Sequence, residues 1–486
     1  MPDERIVEPR LLRGFRDYLP AQMNARLKLI ATIRNVYERY GFLPLETPAQ
    51  EYRVTLMGYG DENTKQIFGF INPEEEEVAL RFDLTVPLAR VVAQYPDLPL
   101  PFRRYQVAPV WRADKPDPGR FREFIQFDLD SVGSSSLAAD AEIICGIYDT
   151  LTALVDDRFI LRFSSRKVLN SLLDFAGIPR EMAHGVFRVL DKLEKIGIEN
   201  VAAELMQGRI DVSGDKITGL GLGADAVTRI REFFAIPRAT RSATLEALAR
   251  LFSGVPSAEE AVADLTFICT SLDALAIPEA TVVLDLSIAR GLDYYTGPVF
   301  EAQLLDAPEI GSVVGGGRYD GLVERFLGRK IPAVGASIGV DRLFAALQKL
   351  GRLPLQSATA YALVTIMEPA RLADYQRLTR QLRQAGINTE LYLGEEKSPG
   401  KQLQYANRLG IPVAILMGSN EFEKGEVTVK DLILGGQLQE KKKSVAGKDR
   451  EAYLAETRTV QVTVPVGACA QTVLNVLARH SIHPGR

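Results

Sequence analysis

The sequence predicts an α+β molecule in two parts. A large N-terminal domain is built on an antiparallel sheet flanked by helices, with a long, mostly helical stretch within it, and a small α/β domain follows it. Three observations predict this. Two apolar runs, 103–111 and 121–129, flank a charged loop with two prolines and a glycine, which is the pattern of an antiparallel hairpin. Residues 137–280 carry repeated amphipathic runs of helical period. From residue 360 the order becomes strand–helix–strand–helix–strand, which calls for a largely parallel sheet.

The elements follow in order. Residues 23–40 predict an amphipathic helix, with Leu27, Ile30, Ile33, Tyr37 and Tyr40 near one face and Gly41 as its C-cap. A strand over 42–47 ends at Pro48. Strands are expected at 79–82, 103–111 and 121–129, and again at 282–288 and 298–304. Gly315, Gly316 and Gly317 read as a glycine-rich turn. Residues 333–350 give a small-residue strand and a helix with Leu343, Phe344, Leu347 and Leu350 on its apolar side. The division expected is a domain over 1–350, a linker at 351–358, an α/β domain at 359–435, and an extension over 436–486 whose role is open.

Composition narrows the function. The chain has 486 residues, 46% hydrophobic and 25% charged, enough for a sizeable core. A formal net charge of −4 argues against a generic basic nucleic-acid binder, so a nucleic-acid partner would have to be met by a local basic patch. Cys145, Cys269 and Cys469 lie far apart, which supports neither zinc nor a disulfide framework. No run approaches ~18 apolar residues and the N-terminus has no apolar signal region, so a cytoplasmic protein away from membranes is expected. The three histidines are His184, His480 and His483, the last two in an end expected to fray. Chemistry would then run on Arg, Asp, Glu, Gln and Tyr rather than on a histidine base.

Five segments carry that chemistry. In the hairpin, Arg112 ends one strand and Arg120 and Arg122 open the return. Alternation puts those two on one face, with Gln126, Asp128 and Asp130 further along it. Guanidinium forks on a rigid sheet suit a triphosphate, and carboxylates suit an ammonium or an imidazole N–H. A solvated charged hairpin has the same spacing. Asp83 and Thr85, before Pro87, can face a ligand or cap the next helix. Arg290-Gly291-Leu292-Asp293-Tyr294-Tyr295-Thr296-Gly297 is either a ligand-facing loop or a turn with exposed aromatics. Gly315 to Gly321 allows close backbone approach or a bulged turn. Gly335 to Arg342 offers a strand of small residues on which a flat ligand can lie.

In this order the five segments resemble class II aminoacyl-tRNA synthetases. The helix with Pro48, the arginine hairpin, and Gly335-Ala336-Ser337-Ile338-Gly339-Val340-Asp341-Arg342 are similar to that class's motifs 1, 2 and 3. Leu80 to Arg90, Arg290 to Gly297, Gly315 to Gly321 and Gly14 to Pro20 resemble motifs of the histidyl-tRNA synthetase family, over about residues 12–435. The resemblance implies activation of L-histidine by ATP to histidyl-adenylate and transfer to the 3′ end of tRNA-His. It implies Arg112 and Arg290 as catalytic groups. Arg112, Asp114, Arg120, Arg122 and Arg342 would bind ATP, with Asp114 standing where many relatives have Glu. Asp83, Thr85, Gln126, Asp130, Arg290, Tyr294 and Tyr295 would bind histidine. A helical insertion at 168–280 in the catalytic domain, Mg2+ on the ATP phosphates, no zinc, an anticodon-binding role for the C-terminal domain and a homodimer through motif 1 are also implied. Two other readings share the fold: a non-catalytic, histidine-sensing regulatory paralogue of histidine biosynthesis, and an adenylate-forming ligase with another acceptor.

Overall fold

The structure, a computed structural model, describes residues 7–57, 66–116, 119–211, 214–288, 295–353, 355–444 and 460–483. The chain divides into two compact units: residues 1–16 with 28–353, and residues 17–27 with 354–486.

The first unit is organised on an eight-stranded sheet. Its strands are β1 (Leu43–Pro44), β2 (Phe102–Trp111), β3 (Glu123–Val132), β4 (Phe159–Ser165), β5 (Val282–Leu284), β6 (Pro298–Leu304), β7 (Ser312–Arg318) and β8 (Ala333–Gly339). Their spatial order is β1-β2-β3-β8-β7-β6-β4-β5. Every inner pairing is antiparallel, and only the edge strands β1 and β5 join in parallel.

The period of two along β3 decides what this sheet does. Phe127 and Leu129 are buried on one face, where the Phe127 ring meets Tyr37 of the helix α1 (Pro20–Arg39) edge-on at 5.1 Å. The helix α2 (Ala138–Val155) buries Ile143, Ile144, Ile147 and Leu151. Gln126, Asp128 and Asp130 are thereby turned to the opposite face. The apolar stripe of α1 differs from the one expected. Leu29, Ile33, Val36 and Tyr37 are buried, whereas Leu27 is 51% exposed, because the i, i+4, i+7 row that meets the core begins at Leu29.

Two strand assignments also change. Gly315, Gly316 and Gly317 are not a turn but lie within β7, paired on both sides. A Cβ on Gly316 would fall 2.3 Å from the Gly335 carbonyl oxygen. The sequence from 137 was read as helical, but β4 lies inside it. Phe159, Leu161 and Phe163 alternate inward there over seven residues, too short a stretch to stand out between long helices. From β4 the chain leaves the sheet and returns at β5. Between them are six helices, a 3-10 turn and a two-stranded ribbon, Gly208–Ile210 with Lys216–Thr218.

The second unit has its own five-stranded sheet: β9 (Ala362–Val364), β10 (Thr389–Leu391), β11 (Val413–Leu416), β12 (Glu426–Asp431) and β13 (Gln461–Pro465), in the order β10-β9-β11-β12-β13. It is only half parallel: β9 pairs in parallel with β10 and β11, and β12 and β13 join antiparallel. The tail is part of this fold. β13 forms the sheet edge, and the following helix α3 (Cys469–Arg479) buries Cys469, Val473, Val476 and Leu477 in the core. His480, expected to fray, sits 2.8 Å from the buried Asp431 carboxylate.

Candidate active site

A cavity of about 400 Å³ opens on the face of β3, β8, β7 and β6 opposite Phe127 and Leu129. Small residues make the floor possible. Gly315, Gly316, Gly335, Ala336 and Ser337 line it, and a Cβ on Gly335 would lie 1.9 Å from Asp130 Oδ1. Gly335 and Asp130 are cross-strand partners, so the missing side chain of one makes room for the carboxylate of the other.

An acidic row on the wall is made by Asp83, Asp128 and Asp130, all buried; the buried Asp341 and the partly exposed Glu301 also line the cavity. Asp83 both accepts a backbone N–H of the next helix and lines the cavity. Its Oδ1 accepts the Val86 N–H at 3.0 Å, and its Oδ2 has no partner among the described residues although the side chain lines the cavity. Burial pushes the Asp83 carboxyl up to about 6, against the nearby N–H groups and the Arg112 guanidinium. Gln126 Nε2 donates to Ser337 Oγ at 2.9 Å, and its Oε1 has no partner among the described residues. Burial also raises Asp130 and Asp128, and Arg104 opposes both shifts. The Tyr319 hydroxyl donates to Asp130 Oδ1 at 2.5 Å. Burial holds that phenol well above its ordinary range, so it stays a donor.

The basic part is Arg112, Arg120 and Arg342. Arg112 Nε donates to the Phe82 carbonyl at 3.0 Å, and its guanidinium lies 5.3 Å from the centre of the Phe124 ring. Arg342 Nη1 donates to the Ser312 carbonyl at 2.7 Å. Arg120 Nε donates to Asp114 Oδ2 at 3.0 Å, which joins two expected nucleotide ligands to each other. These anchors hold planar cations at fixed positions, as recognition of a polyanion requires.

The structure thus brings Asp83, Thr85, Arg112, Asp114, Arg120, Gln126, Asp130, Tyr295 and Arg342 to one cavity. It separates Arg122 from them. The return strand begins at Glu123 rather than 121, so alternation does not govern Arg120 and Arg122, and Arg122 instead donates to the Asp114 carbonyl at 3.1 Å. Arg290 and Tyr294 lie outside the described residues. Sequence reasoning missed Phe121, Phe124 and Tyr319 on the wall, and Arg104 beneath it. Phe124 was within reach, standing two residues before Gln126. Arg104 was not, because its place opposite Asp130 depends on hairpin register.

Known proteins are similar to this chain in sequence and fold. A family model described as histidyl-tRNA synthetase matches residues 14–343, and one described as an anticodon binding domain matches residues 362–457. A histidine–tRNA ligase of Cereibacter sphaeroides is 42% identical, covering 96% of this chain and 97% of that one. Another from Paracoccus denitrificans is 43% identical over 88% and 90%. A crystal structure of histidyl-tRNA synthetase from Nostoc has a TM-score of 0.79 and 32% identity, covering 97% of this chain and all of that one. At 23% identity and a TM-score of 0.67, a Bacillus halodurans protein described as an ATP phosphoribosyltransferase regulatory subunit/histidyl-tRNA synthetase shares the fold.

Proposed function

The chain belongs to the histidyl-tRNA synthetase family, and we propose that this cavity is where it activates L-histidine with ATP before transfer to the 3′ end of tRNA-His. It is an ATP-dependent histidine–tRNA ligase, and the regulatory paralogue reading is not favoured, since ligases of the same name match nearly the whole chain. The observation that carries the site assignment is the joining, in one cavity, of a buried acidic row with three guanidinium groups.

The chemistry needs no protein nucleophile. The histidine carboxylate attacks the α-phosphate and pyrophosphate leaves. The terminal ribose hydroxyl of the tRNA then attacks the adenylate carbonyl and AMP leaves. Each step gains from holding the reactants in line and from meeting charge on phosphate oxygens. Arg112 holds the α-phosphate and Arg120 and Arg342 flank the nucleotide. Arg122 would join them only by exchanging its hold on the Asp114 carbonyl. Asp114 gives Arg120 to the triphosphate or follows it to the adenine. Arg290, by its match to the family motif, serves the same phosphate and the histidine carboxylate. Asp83, Thr85 and Gln126 take the α-ammonium. Asp130, Tyr295 and Tyr294 take the imidazole, and paired polar groups of this kind discriminate more sharply than an apolar pocket does.

Magnesium would ride on the ATP phosphates. Among the described residues no group of three or more His, Cys, Asp or Glu gathers to hold a metal, and a hard ion that keeps its waters fits phosphate oxygens. The second unit would take the anticodon. A homodimer is supported by the small sheet of Gln50–Tyr52, Gly69–Ile71 and Glu77–Leu80. There Tyr52 and Phe70 flank Val78 in one cross-strand row and stay exposed. No helix among the described residues is long and apolar enough to cross a membrane, in keeping with work in the cytoplasm.

Pyrophosphate exchange into ATP, measured with each proteinogenic amino acid and followed by tRNA charging, tests the assignment. Exchange with histidine alone, abolished in Arg112→Ala, is expected. Full exchange in that variant would remove Arg112 and its cavity from the reaction.

A further inference from the structure

Beneath the acidic row lies a cation that the reaction above leaves without a role. Arg104 stands across the β2–β3 ladder from Asp130, and its side chain is 0% exposed. Its Nη2 is 3.0 Å from Asp130 Oδ2 and 3.7 Å from Asp128 Oδ2, and it donates to the Leu84 carbonyl at 3.0 Å. Leu84 lies between Asp83 and Thr85. One guanidinium therefore touches two carboxylates of the cavity wall and the backbone that carries the third, without lining the cavity itself.

Three carboxylates buried side by side would take up protons, because burial disfavours the charged form and each charge raises its neighbours. The groups facing them can be named element by element. Arg104 on β2 and Tyr319 after β7 meet Asp130. Arg104, Asp130 on the same strand, Ser337 on β8 and Asp83 act on Asp128, and Arg81, ahead of Asp83, feels its charge. Arg112, after β2, acts on Asp83, and Tyr37 on α1 feels both Asp128 and Asp130. Both phenols are held well above their ordinary range and add no charge. Among the described residues Arg104 is the cation paired with both Asp128 and Asp130. The ionisation of Asp130 decides what it reads. An ionised carboxylate accepts an imidazole N–H, and a protonated one offers an O–H instead.

We propose that Arg104 is a positioning residue for histidine recognition: its ion pairs with Asp128 and Asp130 favour their charged forms and aim Asp130 at the imidazole N–H of the substrate. The inference rests on the histidine-ligase reading above.

The test is the KM for histidine in pyrophosphate exchange as a function of pH, with each variant compared with the unaltered chain so that titration of the substrate cancels. In Arg104→Met the KM rises about tenfold or more near pH 6.5. The ratio narrows toward about pH 8.5 as the carboxylates ionise unaided. The KM for ATP and kcat change little. Adding Asp128→Asn removes one buried carboxylate along with the cation and recovers most of the loss. Arg104→Lys keeps the charge and stays close to the unaltered pH profile. A ratio independent of pH, a lysine variant that behaves like methionine, or a double variant no better than the single would each overturn the proposal. Should Arg104→Met fail to fold on thermal melting, the lysine and double variants carry the comparison. There, a lysine ratio that rises toward acid pH, or a double variant whose ratio exceeds that of lysine across the range, overturns it. Exchange with histidine by the unaltered chain separates the two ideas: its presence leaves the ligase reading intact whatever the variants do, and its absence overturns both.

Discussion

Asp83 shows how function and stability oppose each other at a single residue. Its carboxyl is raised from 3.8 to about 6 by burial. A folded-state value above the unfolded one means that the folded chain binds this proton more tightly. The associated stability is therefore present at acid pH and lost as the pH rises through about 6. Asp83→Asn keeps a carbonyl oxygen to accept the Val86 N–H and removes the buried charge. At pH 7.5 it should melt later, by at most roughly 2–3 kcal/mol on a two-unit shift, while histidine-dependent exchange collapses for want of an ammonium partner. An earlier melt would mean that the carboxylate is stabilised by something other than its ligand. Gly335 makes the complementary case. A methyl group there would occupy the place of Asp130 Oδ1 and also lie 2.8 Å from the Leu129 carbonyl oxygen. Gly335→Ala should cost about 100-fold in exchange with histidine, the scale of an ångström-sized misplacement, with ATP binding by calorimetry nearly unchanged. Loss of both together would point to collapse of the sheet instead.

At the scale of elements, much was legible in the sequence because period and hairpin chemistry are local. The arginine hairpin, the strand–helix over 333–350 and the order of elements in the second unit can all be read from alternation and turn residues. What was not legible depends on partners distant in sequence. Gly315 to Gly317 form a strand only because β6 and β8 pair with them, and Arg104 meets Asp130 only through the register of β2 on β3. The tail is the clearest instance. A strand and a helix near 458–478 can be read from the sequence, but their role cannot: β13 and α3 complete the second unit through pairing with β12 and burial in its core, and no local signal tells an edge strand from a loose one. Val473, Val476 and Leu477 are almost wholly buried. Three such side chains contribute roughly 5–9 kcal/mol, comparable with the whole stability of a small domain. Ending the chain at residue 459 should therefore unfold the second unit, seen as loss of its melting transition. Exchange with histidine should persist and tRNA charging fail. Charging at the full rate by the shortened chain would show the second unit to be dispensable for the tRNA.

The whole molecule carries a net charge of −4, and its proposed macromolecular partner is a polyanion. The long-range field therefore opposes association, and binding must come from basic groups close enough to phosphates to displace counterions. The two half-reactions then separate by salt. Histidine would be recognised against a buried acidic row whose ion pairs with Arg104 are shielded from solvent, while Arg120 is exposed, so exchange should change far less than charging between low and moderate salt. Contacts to the proposed tRNA partner would have to lie on open surface, where each neutralised phosphate releases a counterion. The KM for tRNA should thus rise as a power of the salt concentration, with an exponent near 0.7–0.9 per phosphate contacted. Measuring both activities across one salt series gives the number of phosphate contacts directly from the slope. A flat KM for tRNA would mean that shape and base contacts carry recognition, whereas an exchange rate as steep as charging would place the arginine cavity in open solvent.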